Sequence, residues 1–219
     1  MNRTLVIGDI HGCHNAFLAL LNKVQPDPIT DTVILLGDYI DRGPDSKQVV
    51  DEILNLRTRT RKVIALMGNH EQSFLNYLQG KNREFYLTIG GSATLQSYGL
   101  TDNPLEDPAT KIPGKHLEFF NNLLLYWEDS ENIYVHAGLK PHVHLSQQPT
   151  EWLLWSRDEV ISSGYDFGKR VIFGHTPFRE PIIKPQYIGI DTGAVYGGSL
   201  TCLILPDLKF VSVPCQRAL

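Results

Sequence analysis

The fold is decided by three stretches in the first third of the chain: TLVIGDIHG at residues 4–12, TVILLGDYIDRG at 32–43 and KVIALMGNHE at 62–71. Each stretch begins with a short apolar run that is long enough only for a strand buried on both faces. Between the runs, apolar residues recur at helical spacing. This order predicts a β-α-β-α-β unit with strands at Arg3–Ile7, Thr32–Leu36 and Lys62–Leu66, parallel and joined by right-handed crossovers.

The rest of the chain predicts a helical insertion followed by more strands. The pattern is helical from about residue 81 to 129, with one clear helix at 117–125 and a shorter one at 90–99. After the insertion, apolar runs bounded by Gly and Pro predict strands, the last two paired as a hairpin. These runs are Asn132–Val135, Arg170–Phe173, Gln186–Ile190, Leu200–Leu205 and Phe210–Val213. We therefore expect one α/β domain over residues 1–219.

Composition excludes several classes of function. The 219 residues carry 20 basic and 24 acidic side chains, a balance that argues against binding to nucleic acid polymers. No apolar run approaches the roughly 20 residues that cross a bilayer, so we expect a cytoplasmic protein without a membrane partner. Three cysteines without a CxxC pair indicate a reducing compartment and leave any metal to other ligands.

Five short motifs carry the chemistry: GDIHG (8–12), GDYIDRG (37–43), GNHE (68–71), HAG (136–138) and GHT (174–176). Each follows a predicted strand, and loops at the carboxyl ends of strands collect polar groups in α/β sheets. Their oxygen and nitrogen donors, without a thiolate, suit Mn²⁺, Fe or Zn²⁺. The candidate metal ligands are Asp9, His11, Asp38, Asn69, His136 and His175.

In this order, the five motifs resemble those of the PPP-type metallophosphatases of the calcineurin-like phosphoesterase superfamily, especially compact bacterial and phage lambda-type members. The resemblance implies a metallophosphoesterase sandwich with central mixed β-sheets flanked by helices. It also implies two divalent cations, Mn²⁺ in the first place, with Fe or Zn²⁺ as alternatives. One cation would be held by Asp9, His11 and Asp38, and the other by Asp38, Asn69, His136 and His175.

The same resemblance implies roles for four further residues. His70 would protonate the leaving oxygen, Asp41 would orient His70, and Arg42 and Arg157 would grip the phosphate. The nucleophile would be a hydroxide shared by the two cations, which attacks phosphorus directly without a phosphoenzyme intermediate. A general acid of this kind is typically worth about 10²–10⁴-fold in rate.

The resemblance implies a phosphomonoesterase acting on phosphoserine and phosphothreonine in proteins, with phosphotyrosine as a further substrate, and we expect a monomer. The LLWSRDE stretch at 153–159 resembles bacterial protein phosphatases and supports this choice. The alternative is a symmetrical diadenosine tetraphosphate hydrolase or another nucleotide phosphoesterase. A binding scaffold that has lost catalysis is a third hypothesis, which the complete set of ligands and the acid His70 disfavour.

A few other residues have plainer interpretations. We expect Cys13 to be a buried, inert thiol and the Trp152–Trp155 segment to belong to the core. His142 and His144 lie in a Pro-bracketed loop and are expected to be solvated, and His116 is expected on a helix surface. The acidic cluster at 128–131 is expected to be a solvated helix end.

Overall fold

The architecture comes from a computed structural model that describes residues 3–100 and 108–216. The strands are β1 (Thr4–Ile7), β2 (Thr32–Leu35), β3 (Lys62–Ala65), β4 (Tyr126–Glu128), β5 (Asn132–Val135), β6 (Arg170–Phe173), β7 (Ile182–Ile183), β8 (Tyr187–Gly189), β9 (Ser199–Leu205) and β10 (Lys209–Pro214). The helices are α1 (His14–Val24), α2 (Ser46–Arg59), α3 (Asn69–Leu78), α4 (Arg83–Tyr86), α5 (Ser92–Ser97), α6 (Gly114–Asn121), α7 (Thr150–Trp155) and α8 (Asp158–Ser163). A π-helical turn, Leu87–Gly91, joins α4 to α5. In the described parts of the chain, no helix combines the length and apolar character needed to span a bilayer.

The strands form two mixed sheets. The first has the order β10-β9-β1-β2-β3, in which β1, β2 and β3 are parallel and β9 runs antiparallel to β1. The second has the order β4-β5-β6-β8-β7, in which β5, β6 and β8 are parallel. The predicted β-α-β-α-β start and the mixed sheets of the α/β fold are therefore confirmed.

The two sheets pack face to face, and helices cover the outer faces. Val6 and Ile34 of the first sheet share a buried cluster with Ile172 and Ile188 of the second. Their neighbours along the strands, such as Leu5, point the other way into a cluster shared with α1, α2, α3 and α6. Because successive side chains of a strand alternate between faces, continuous apolar runs are what a strand covered on both sides requires.

The end of the insertion differs from the sequence prediction. The helix predicted over 117–125 ends at Asn121, and Leu124 forms a bridge with Leu66 at the end of β3. Tyr126–Glu128 then forms β4, which pairs antiparallel with β5. The insertion is thus not purely helical, because backbone pairing with existing strands outweighs the local helical pattern of the leucines. Residues 101–107 of the insertion lie outside the described residues.

Two smaller predictions were wrong for related reasons. His116 is fully buried, and its ring bonds to the hydroxyl of Tyr98 and to the carboxylate of Asp51. Asp129 belongs to the turn between β4 and β5, where its carboxylate accepts the backbone N–H of Glu131. The two predicted loop histidines at 142 and 144 are exposed, as expected.

Asp31, which lies away from the five motifs, gives a testable prediction about stability. Its buried carboxylate accepts the Nε–H of Arg3 and the backbone N–H of Asp27. Burial acts to raise the pKa of Asp31, but the hydrogen bonds from Arg3 and Asp27 outweigh burial and lower it. We expect Asp31→Asn to lower the free energy of unfolding by about 1–3 kcal/mol at pH 7.

Because the folded-state pKa is lowered, this stabilisation is present above the unfolded pKa of about 3.9 and is lost as the pH falls through the folded value. The difference in unfolding free energy, measured in urea, should stay constant between pH 7 and 5 and shrink below about pH 4. Glu52→Gln is the control, because Glu52 pairs with the exposed Arg59 and should cost less than about 1 kcal/mol. A difference that stays the same at every pH would contradict the charge-based explanation.

Candidate active site

The predicted ligands meet where the parallel strands of both sheets end. Gly8 and Asp9 follow β1, Asp38 follows β2 by three residues, and Asn69 begins α3 just after β3. His136 directly follows β5, and His175 comes two residues after β6. The sequence prediction that these loops converge is supported by burial, since all six side chains are at most 7% exposed: Asp9, His11, Asp38, Asn69, His136 and His175.

One cluster of donor atoms surrounds the amide oxygen of Asn69. Asn69 Oδ1 lies 3.0 Å from Nε2 of His136 and 3.0 Å from Nδ1 of His175. The two ring nitrogens are 3.2 Å apart, and Oδ1 of Asp38 lies 3.5 Å from His136 Nε2. These are the four residues predicted to hold the second cation.

A second cluster lies on the other side of the Asp38 carboxylate. Asp38 Oδ2 is 3.4 Å from Nε2 of His11 and 3.9 Å from Nε2 of His70. Both carboxylate oxygens of Asp9 accept the backbone N–H of His175, at 3.1 and 3.0 Å. Asp9 therefore ties the loop after β1 to the loop after β6, while His11 and Asp38 face each other directly.

The donor set fits divalent cations. Nδ1 of His11 donates to the carbonyl of Ile40, and Nδ1 of His136 donates to the carbonyl of Leu36, both at 2.9 Å. With this tautomer, the Nε2 lone pair of His136 faces the oxygens of Asn69 and Asp38, so acceptors face acceptors. A bound cation would remove this repulsion. Nε2 of His70 and Nε2 of His175 are buried without a hydrogen-bond partner; the former faces Asp38, and the latter is the ring nitrogen opposite the Nδ1 that faces Asn69.

The charges of the buried carboxylates also favour bound cations. Burial opposes ionisation of Asp38, yet the nearby imidazoles, His136 first, hold its pKa well below its usual range. Burial and the charges of Asp191 and Asp38 raise the pKa of Asp9 well above its ordinary value. Two divalent positive charges would balance this concentration of carboxylates.

Asp191 is a site residue that the sequence reasoning missed. It is 5% exposed, and its Oδ1 accepts the backbone N–H of Gly193 at 2.9 Å. Burial, followed by the charge of Asp38, raises its pKa to about 6. The signal was present as IGIDTG at 188–193, where an aspartate flanked by glycine follows an apolar run as in the other motifs.

Glu71 was quoted in the GNHE motif without a role, and the structure gives it one. Its Oε2 accepts the backbone N–H groups of Asp38 and Gly68, and its Oε1 accepts that of Tyr39 at 2.8 Å. Burial and the charge of Asp38 raise the pKa of Glu71 to about 8, whereas the donated N–H groups favour the ionised form. Through these hydrogen bonds Glu71 fixes the loop after β2 that carries Asp38.

The predicted acid and its partner are in direct contact. Nδ1 of His70 lies 2.7 Å from Oδ2 of Asp41, and neither side chain is exposed. With Nδ1–H donated to Asp41, the other ring nitrogen faces the Asp38 cluster. This geometry allows His70 to pass a proton to a group bound beside Asp38.

The two predicted arginines differ in how closely they approach the cluster. Nη1 of Arg42 lies 2.5 Å from Nε2 of His11. Arg157 is exposed at the end of α7, and its charge lowers the pKa of His175, although burial and His136 have larger effects. Arg42 is thus within the cluster, and Arg157 lies at its solvent side.

Aromatic rings form the rim of the site. Leu153 and Leu154 of α7 are core residues as expected, but the ring of Trp155 lies 6.3 Å from that of His175. Trp155 in turn packs on Phe85, 5.8 Å away and 45% exposed. The rim therefore presents an exposed aromatic ring, Phe85, next to the Trp155 that lies beside His175.

Known proteins with similar sequences and structures agree with this site. The profile described as Calcineurin-like phosphoesterase matches residues 2–200. The chain is 30% identical to the asymmetrical bis(5'-nucleosyl)-tetraphosphatase PrpE of Anoxybacillus flavithermus, with 95% of this chain and 93% of that protein aligned. It is also 30% identical to serine/threonine-protein phosphatase 1 of Salmonella typhimurium, over 90% of this chain and 88% of that protein.

A solved structure, provisionally named a diadenosine tetraphosphatase, superposes with a TM-score of 0.76 at 24% identity over 99% of this chain and 95% of that chain. At that identity the superposition supports the fold alone. The profile match spans nearly all of the described sheets and every predicted ligand. The chain belongs to the calcineurin-like phosphoesterase family, whose members are metal-dependent hydrolases, as its five motifs predict.

Proposed function

We propose that this protein is a phosphomonoesterase that removes phosphate from phosphoserine and phosphothreonine in proteins, and also from phosphotyrosine, with Mn²⁺ as its cation. The observation that carries the proposal is the buried His70–Asp41 pair, whose free ring nitrogen faces the Asp38 cluster. A serine or threonine alkoxide is a poor leaving group and needs a proton as the ester bond breaks. In this proposal His70 supplies that proton.

The other site residues have matching roles. Arg42, beside His11, presents a planar guanidinium that suits phosphate oxygens, and Arg157 adds positive charge at the entrance. Asp38, which lies within reach of both His11 and the His136–His175 pair, would be shared by both cations. In this proposal Asp9 and His11 complete one position, and Asn69, His136 and His175 complete the other. When bound, two divalent cations supply an activated water and neutralise charge on the phosphoryl group.

A second candidate function is hydrolysis of nucleotides such as dinucleoside tetraphosphates. It is favoured by the name of the PrpE relative and by two exposed rings, Phe85 beside Trp155 and Tyr196, whose centroid lies 5.5 Å from the guanidinium carbon of Arg42. Such rings could stack on a base. The cleavage named for that relative is asymmetrical, whereas the sequence alternative is symmetrical. The products of cleavage distinguish asymmetrical from symmetrical hydrolysis.

Turnover with Mn²⁺ should be compared on a phosphoserine peptide, a phosphotyrosine peptide and diadenosine tetraphosphate. We expect kcat/KM for the phosphoserine peptide to equal or exceed that for the dinucleotide. A preference well over tenfold for the dinucleotide would overturn the first proposal, and the products, ATP with AMP or two ADP, would define the cleavage. Folded protein without turnover on any substrate would favour a binding scaffold.

His70→Asn tests the acid directly. We expect it to slow hydrolysis of an alkyl phosphate by about 10²–10⁴-fold, but to slow an aryl ester with an acidic phenol much less, because that phenolate leaves without a proton. The measurement is kcat on both esters with saturating Mn²⁺. Equal losses on the two esters would remove His70 from the role.

A further inference from the structure

Three residues of the insertion contact the acid's partner and the phosphate-binding arginine. The hydroxyl of Tyr86 donates to Oδ1 of Asp41 at 2.7 Å, and that of Thr94 donates to the same oxygen at 2.6 Å. Between them, the carbonyl of Gly90 accepts the backbone N–H of Arg42 at 3.1 Å. The chain leaves helical geometry at Gly90, between α4 and α5, so the end of α4, the turn at Gly90 and α5 together meet Asp41 and Arg42.

The hydrogen bonds assign both oxygens of Asp41. Oδ1 accepts the two hydroxyls, and Oδ2 accepts Nδ1–H of His70. The backbone N–H of Asp41 also donates to Oγ1 of Thr94 at 2.9 Å. Asp41, Tyr86 and Thr94 are all fully buried, so no solvent replaces a lost donor. The two hydroxyls thereby fix the rotation of the carboxylate that orients His70.

Gly90 permits the close approach to Arg42. Its φ is +106°, and a Cβ there would lie 2.7 Å from Cγ and 3.1 Å from the backbone nitrogen of Arg42. Asp41 and Arg42 themselves have φ of +71° and +68°. Left-handed conformations at two successive non-glycine residues persist only where surrounding contacts impose them. The contacts with Tyr86, Gly90 and Thr94 supply that constraint.

We propose that Tyr86, Gly90 and Thr94 form a positioning clamp that holds Asp41 and Arg42, and through Asp41 sets the orientation of the proton-donating ring of His70. The inference rests on the proposed role of His70 as general acid. The clamp residues do not touch the reacting group themselves. They act through Asp41 and Arg42, so their loss should affect leaving-group protonation more than the rest of catalysis.

The test uses Tyr86→Phe, Thr94→Val and the double variant, each loaded with Mn²⁺. Thr94→Ser keeps the hydroxyl and should therefore keep the activity that Thr94→Val loses. Tyr98→Phe is the matched control, because Tyr98 is buried, packs against Phe74 as Tyr86 does, and bonds to His116 instead of Asp41. We expect the double variant to lose at least about tenfold in kcat on an alkyl phosphate and less than about threefold on an activated aryl phosphate. Tyr98→Phe and Thr94→Ser should stay within about twofold of wild type on both.

A spectroscopic measurement separates positioning from general damage. In Zn²⁺-loaded protein, which is diamagnetic, the Nδ1–H proton of His70 should give a hydrogen-bonded downfield signal, assigned by its loss in His70→Asn. The signal should persist in Tyr98→Phe and shift or broaden in the double variant. If the double variant does not fold, the two single variants, each keeping one hydroxyl, carry both measurements.

The outcomes distinguish the two proposals. If His70→Asn loses equally on both esters, the acid role fails and the clamp fails with it. If His70→Asn behaves as expected but the Tyr86 and Thr94 variants keep the wild-type ratio of the two rates, the clamp alone is overturned. It is also overturned if those variants lose activity equally on both esters while the His70 signal is unchanged.

Discussion

Asp38→Asn is expected to lower kcat/KM by at least about 10²–10³-fold and to weaken divalent cation binding at both clusters. One carboxylate oxygen faces His11 and the other faces His136, so no other described side chain spans the two clusters in this way. Asparagine keeps the shape but removes the charge and turns an N–H₂ donor toward a ring nitrogen or a cation. This one substitution should therefore weaken cation binding at both positions.

The measurement pairs kcat/KM on an aryl phosphate with calorimetric titration of Mn²⁺ into metal-free protein. Asp31→Asn is the matched control, because it replaces another buried aspartate that bonds to Arg3, away from the clusters. It should bind Mn²⁺ as wild type does. An Asp38→Asn protein that keeps wild-type turnover, or that loses binding at only one position, would contradict the shared role.

Glu71→Gln should give a large loss of stability, on the order of 2–4 kcal/mol in the free energy of unfolding. Its two oxygens accept backbone N–H groups of Asp38, Tyr39 and Gly68. Glutamine presents one oxygen and one N–H₂ group, so at least one buried backbone N–H would face a donor. Because those N–H groups belong to the loop that carries Asp38, cation binding should weaken as well.

Urea unfolding with and without Mn²⁺ measures both effects. Gln72→Glu is the control. It makes the opposite substitution, amide to carboxylate, at the next position of α3, where the side chain is only partly buried. It should change stability by less than about 1 kcal/mol. A Glu71→Gln protein as stable as wild type would show that the backbone cradle contributes little.

The site was predictable where the chemistry lies in local motifs. Asp9, Asp38 and His175 each follow an apolar run and a glycine, and parallel strands bring their carboxyl ends to one edge. The alternation of strands and helices likewise predicted the parallel strands at the start of the chain. These features depend on short stretches of sequence, so they can be recognised without knowing the rest of the fold.

The features that the sequence did not predict depend on contacts between distant segments. The clamp residues Tyr86 and Thr94 reach Asp41 across 45 and 53 positions, and no local pattern reveals that they do so. The sequence predicts His116 on a helix surface, because its contacts with Tyr98 and Asp51 are visible only in the folded structure. The three-residue strand β4 exists only because β5 offers an edge for pairing.

The central claim is that loops from both sheets hold two cations around Asp38, and a crystal of the protein grown with Mn²⁺ tests it most directly. An anomalous difference map should contain two strong peaks, one beside His11 and one beside Asn69, His136 and His175, with the Asp38 carboxylate between them. A single peak, or an Asp38 side chain turned away from both peaks, would contradict the account.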